Sequence, residues 1–391
     1  MKRRAYIHVG CRKSGTSALQ AALRASTEAV TAAGLGMPLP ERIDHYNRVL
    51  TPLTSFDEDS EVPPKVHKAL AELASTMADA PGSRLLLTME DLAELDARRA
   101  ALLLEALDDD FEVHVIVTAR DWARQIPSEW QQDVKQRSVM SYDDFVKAVQ
   151  HRTADAETYY ARQDVPAIAA RWGAQLPPEC VHVVAVPQGS DSHRLFELFA
   201  GILDLDPSIL QATGGRNPSL GYEQAETLRR VNVALGDRLS NFRRDYRFAV
   251  RAFVYHGALR QQEGMPLRLP PDLAGWCHEA TEAQAKELVA RGYDIVGSVD
   301  DLISPSQPAA TTDYREVTDS QVASVAVRAL ADLAVLRHRE NREAAAAQKA
   351  NTGGQGRQPM PPPSDGPTER LGRRVDRVLR GVRSRLRRHE E

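Results

Sequence analysis

The chain has 391 residues, 42% apolar and 27% charged, with a formal net charge of −4. That length supports one large domain with appendages, or two domains, and the composition is that of a folded enzyme, not a fibrous or disordered chain. No apolar run approaches the roughly 18 residues of a membrane span. Met1-Lys2-Arg3-Arg4 leads straight into an apolar run, with no room for a signal-peptide core. Cys11, Cys180 and Cys277 lack metal-ligand spacing and suit a reducing, cytoplasmic setting.

In chain order, the β-prone run from Tyr6 to Gly10 reads as a strand, followed by the turn Cys11-Arg12-Lys13-Ser14-Gly15-Thr16-Ser17. Residues 17–33 read as one helix, closed by Gly34, Gly36 and Pro38. The Pro- and acid-rich stretch 37–62, containing Asp44-His45-Tyr46-Asn47, reads as loop, and 65–77 as helix. Residues 84–89 are a continuous apolar run suited to a strand buried on both faces, ended by Glu90 and Asp91. A helix over 97–107 precedes a third strand, 113–119, which ends at Arg120-Asp121. Helices follow at 122–136, 142–149 and 165–175, then a fourth strand, 181–186, and a helix over 192–203. The loop Gly214-Gly215-Arg216-Asn217-Pro218-Ser219 opens a mostly helical remainder to about residue 302.

Strands alternating with helices predict an α/β fold with a parallel, P-loop-like sheet covered on both faces, over residues 1–310. Beyond it the pattern predicts a long helix within 311–350, then a Pro/Gly linker at 351–368. From Arg370 to Arg388 nine arginines face one acid, Asp376, so 369–391 reads as a basic amphipathic helix. Such a helix suits peripheral contact with an anionic membrane at its inner face. No nucleic-acid reading module accompanies it.

Ligands in parallel sheets bind at the carboxyl ends of the strands, so the residues that end strands carry the functional information. A strand running through a Gly-containing turn into a helix start is an anion-binding device, because the first helix amides lack internal partners and the helix dipole favours negative charge. The turn departs from the nucleoside-triphosphate signature, which needs Lys directly after its second Gly. Here Thr16 holds that slot and Lys13 stands two residues before Gly15.

Lys13-Ser14-Gly15-Thr16-Ser17 resembles the 5′-phosphosulfate loop of the sulfotransferase family. Arg120 and Ser128, eight residues apart after a strand, resemble the family's second signature, which holds the 3′-phosphate of the donor 3′-phosphoadenosine-5′-phosphosulfate (PAPS). Asp164-Val165-Pro166 through Arg171-Trp172-Gly173, Arg216 to Gly221 and Gly292 to Gly297 extend the likeness to bacterial, actinobacterial-type members over roughly residues 3–303. The resemblance implies sulfuryl transfer from PAPS to a hydroxyl or amine of a carbohydrate, lipid or small metabolite, without a metal. It implies donor contacts from Arg12, Lys13, Ser14, Gly15, Thr16, Ser17, Arg120 and Ser128, with Arg216 as a third loop. Asn217 and Ser219 either join that loop or cap the next helix. Lys13 is expected to meet the charge that builds on the leaving group. Glu90 is the expected general base, with His45 as its competitor. Trp130 either stacks adenine or belongs to the core, and core is the preferred reading. Two rivals stand beside this reading: a nucleotide-dependent phosphotransferase, and a catalytically silent binding protein on the same scaffold.

Overall fold

The computed structural model of the chain describes residues 2–189, 192–211, 219–307 and 313–352. Arg216, Asn217, most of the linker and the basic segment 369–391 lie outside the described residues.

Six parallel strands form one sheet in the order β2-β3-β1-β4-β5-β6. They are β1 Arg3–His8, β2 Leu35–Gly36, β3 Arg84–Thr88, β4 Phe111–Ala119, β5 Val181–Ala185 and β6 Asp294–Val296. The continuous apolar runs take the middle of the sheet, where both faces are covered. Ala5, Ile7, Leu85, Leu87, Val115 and Val183 point into one core layer. Tyr6, Leu86, Ile116 and Val184 point into the other, against α1 (Thr16–Ala25) and the helix Ser192–Ile202. The fold class is thus α/β with an all-parallel sheet flanked by helices, as the pattern of elements required.

The connections after β1 and β4 leave in opposite directions. After β1 the chain crosses to β2 and β3 on one side, whereas after β4 it continues to β5 and β6 on the other. The carboxyl ends of β1 and β4 are therefore the topological switch point, where such sheets generally bind ligands.

Three local expectations are corrected. The single helix over 17–33 is two, α1 and α2 (Thr27–Ala32), broken at Ser26, and Leu35–Gly36 adds an edge strand to β3. The stretch 42–53 is helical, not loop: His45, Val49 and Leu53 recur at helical spacing and are all buried. Dense Pro and acidic residues around it masked that stripe. Finally, Asp294–Val296 pairs with β5 as a short sixth strand inside the stretch read as helical.

The chain separates into two compact units. The first, residues 2–134, 140–222 and 265–317, holds the sheet. In the second, 135–139 and 223–264 gather with the helix Asp319–Thr352. Its core includes Tyr246, whose hydroxyl donates to Asn232 Oδ1 at 2.6 Å, and the buried stripe Val322, Val325 and Ala329 of the long helix. Among the described residues no helix is long and apolar enough to cross a membrane.

Candidate functional site

The loop after β1 is fastened to β4. Val9 N–H donates to Ile116 O at 3.0 Å and Cys11 N–H to Thr118 O at 2.7 Å. Gly10 and Gly15 both have positive φ, 61° and 89°. Lys13 also sits in the left-handed region, at φ 62°, which a lysine adopts only where the surrounding structure imposes it. Gly15 caps α1 with no side-chain hydrogen bond, so the amides of Thr16 and Ser17 keep the orphan donors of a helix start.

Arg120 follows the end of β4 and reaches back to this loop. Its Nη1 donates to Lys13 O at 3.0 Å, and its Nη2 donates to Ser128 Oγ at 3.3 Å and to Arg124 O. The paired Arg and Ser therefore meet two turns along the helix Trp122–Lys135, on the sheet edge that carries the Lys13 loop. Among the described residues no carboxylate forms an ion pair with Arg120, since neighbouring Asp121 pairs with Arg124. Burial, reinforced by the Arg124 charge, pulls the Arg120 guanidinium down to about 10. Its Nε–H is buried without an acceptor. A half-buried cation outside any ion pair of the described residues, with an unused donor, retains capacity to bind an anion.

Glu90 follows β3, on the other flank of β1, and opens a short 3₁₀ turn. It abuts the loop: a Cβ on Gly10 would come within 3.2 Å of Glu90 Cβ. Gln20 of α1 donates from Nε2 to Glu90 Oε2 at 2.9 Å and to Thr88 Oγ1 at 3.3 Å. From Thr88 a row of polar groups crosses under the site. Thr88 Oγ1 is 2.8 Å from His8 Nδ1, His8 Nε2 is 3.2 Å from Thr118 Oγ1, and Thr118 Oγ1 is 2.7 Å from Ser14 Oγ. Ser14 Oγ donates to Cys11 O, which sets the direction of the two bonds leading to it. Thr118 must then donate to Ser14, and His8 Nε2–H to Thr118. Burial pushes the His8 pKa down to about 3, so the ring is neutral and its Nδ1 accepts from Thr88 Oγ1–H.

A pocket opens beside Glu90, lined by Gln20, Arg24, Met37, Leu39, Arg42 and His45 among others. His45 forms its wall with both ring nitrogens engaged. Nε2 accepts from Thr88 N–H at 3.2 Å, and Nδ1–H donates to Glu41 O at 3.2 Å. Burial lowers its pKa, so the ring is neutral and serves to hold the 42–53 helical segment against β3.

The remaining predicted residues divide by their contacts. Ser14 is buried and its hydroxyl belongs to the loop itself, Thr16 is buried, and Ser17 is exposed at the helix start. Arg12 pairs with Asp91 at 3.6 Å and Glu94 at 3.2 Å. Arg162 joins the same cluster, 2.8 Å from Glu94 and 3.2 Å from Asp133. Trp130 is fully buried and packs on Tyr142 and Tyr222 as core. Cys11 is fully buried, and burial drives its thiol pKa up, so it is inert packing within the loop. Ser219 is exposed. Sequence reading missed His8, Gln20, Thr88 and Thr118. His8 meets partners 80 and 110 residues away, and nothing local to Tyr6-Ile7-His8 announces them.

Comparison with protein-family models, with curated proteins and with solved structures yields no match. The functional reading therefore stands on the residues and their geometry.

Proposed function

We propose that the chain is a sulfotransferase that takes PAPS as donor and passes its sulfuryl group to a hydroxyl or amine acceptor. The observation that carries this reading is Arg120: a half-buried guanidinium with no ion pair among the described residues and a buried, idle Nε–H, hydrogen-bonded to Ser128 and to the Lys13 carbonyl. Two anion-seeking elements then stand on adjacent strands at the switch point. A donor with a 3′-phosphate and a 5′-phosphosulfate supplies an anion to each. The Lys13 loop takes the 5′ end, and Arg120 with Ser128 takes the 3′-phosphate through planar donors. An NTP-dependent phosphotransfer fits less well, because the Lys that a triphosphate loop needs after its second Gly is Thr16.

In this reading the acceptor enters the pocket beside Glu90. The Glu90 carboxylate takes the acceptor proton as the acceptor oxygen or nitrogen bonds to sulfur. The bond from sulfur to the bridging oxygen breaks, and its electron pair leaves on the 5′-phosphate of adenosine 3′,5′-bisphosphate. Lys13 and the orphan amides of Thr16 and Ser17 stabilise that charge. Glu90 is preferred to His45 as base, since both His45 nitrogens already hold backbone partners. The basic segment 369–391 is assigned peripheral contact with anionic membrane.

The test is thermal stability without magnesium in adenosine 3′,5′-bisphosphate, ADP or AMP. The bisphosphate is expected to raise the midpoint selectively, by about 2.7 kcal/mol of stability at a hundredfold excess over Kd. Lys13→Ala and Ser128→Ala should each diminish the shift. An equal response to ADP would overturn the reading.

A further inference from the structure

A second cluster of polar side chains lies at the opposite end of the sheet, where β4 and β5 begin. Two alternating pairs, Glu112-x-His114 on β4 and Cys180-x-His182 at β5, share one face of neighbouring parallel strands. One ligand atom each from Glu112, His114 and Cys180 lies within 4.8 Å of the others. His114 and Cys180 are both buried, at 8% exposure, whereas the Glu112 side chain is 47% exposed and opens the cluster to solvent.

The hydrogen bonds behind the cluster point the same way. His182 Nδ1 is 2.6 Å from Asp294 Oδ2 on β6, and His182 Nε2 is 2.9 Å from His114 Nδ1. Asp294 can only accept, so His182 donates to it from Nδ1, and as a neutral ring it turns an electron pair on Nε2 toward His114. His114 must then donate from Nδ1, which leaves the lone pair on its Nε2 facing the Glu112 carboxylate at 3.1 Å. In that protonation pattern no proton lies between the His114 nitrogen and the Glu112 carboxylate, and a metal ion can take its place. Arg4 is the nearest, at 3.7 Å from Glu112, but it stands outside the histidine row and also pairs with Asp204 at 3.5 Å.

We propose that Glu112, His114 and Cys180 bind a divalent transition-metal ion of the zinc type, with His182 and Asp294 orienting His114. Nitrogen, thiolate and carboxylate are the donors zinc takes, and around a tetrahedral ion they stand roughly 3.3–3.8 Å apart, so small side-chain rotations close the site. Three protein ligands leave the fourth position to water. The carboxylate–histidine pair behind a metal-bound histidine fixes its tautomer, which the Asp294–His182–His114 row does through one extra imidazole. The ion would bridge β4 and β5 far from the Lys13 loop, with one position open to water, and the donor chemistry does not use it.

The test is titration of the full-length, reduced, chelator-treated protein with Zn²⁺ or Co²⁺ alone. One equivalent should bind, Zn²⁺ should raise the thermal midpoint, and Co²⁺ should give a thiolate-to-cobalt charge-transfer band in the near ultraviolet. Cys180→Ser should abolish that band, and His182→Gln should weaken binding about 10–100-fold. Glu112→Gln, at an exposed position that the fold tolerates, should weaken binding in a protein of unchanged circular dichroism. Absence of the band in folded wild-type protein would overturn the site. So would a band that survives Cys180→Ser, which would belong to Cys11 or Cys277, or metal affinity unchanged in Glu112→Gln.

Discussion

At the scale of single residues, the site depends on which hydrogen-bonding groups are already used. Ser14 and His45 look equally available in the sequence, yet both are committed to the protein, while Arg120 keeps an unspent donor. His8 gives this accounting a pH dependence. Its folded pKa of about 3 lies below the ordinary value near 6.5, so between the two the unfolded chain binds the extra proton. Stability contributed by neutral His8 is thus present above about pH 6.5 and is lost as pH falls toward 3. His8→Gln is expected to flatten that slope, read as urea midpoints from pH 7 to pH 4. Parallel curves for wild type and variant would refute the assignment of the row.

At the scale of elements, the decisive unit is the β1 strand with its loop and α1. The loop crosses from β1 to the helix start with three residues at positive φ, and it is fastened to β4 by backbone hydrogen bonds. Gly10 is the tightest point. An alanine there would be held at φ 61° with its Cβ 2.9 Å from Thr16 Cγ2 and 3.2 Å from Glu90 Cβ. Gly10→Ala should cost about 1–3 kcal/mol in chemical denaturation. It should also reduce the thermal shift by the bisphosphate more than the loss of stability explains, because Thr16 and Glu90 are displaced together. The pocket wall beside Glu90 is an element-scale outcome too, since 42–53 winds into helix and buries His45, Val49 and Leu53.

At the scale of the whole molecule, sheet order makes the site. Placing β1 between β3 and β4 brings Glu90 to one flank of the Lys13 loop and Arg120 to the other, from sequence positions 77 to 107 residues beyond Lys13. The basic segment extends the functional reading beyond the sheet. A chain ending at residue 352 should keep its stabilisation by the bisphosphate and lose co-sedimentation with vesicles rich in phosphatidylserine. Equal partitioning of the full and shortened chains would remove the membrane assignment.

By itself the sequence determined what depends on neighbours along the chain. Four of the six strands are legible because apolar runs end in Gly, Glu, Arg or Pro, and the turn after β1 because helix start, Gly and Lys lie within seven residues. Tertiary structure decided everything that needs two distant segments in register. The two-residue β2 and three-residue β6 have too little pattern of their own and exist by pairing with β3 and β5. The Thr88–His8–Thr118–Ser14 row and the Glu112–His114–Cys180 cluster form only where parallel strands set side chains on one face, and no periodicity along a single strand encodes its neighbour.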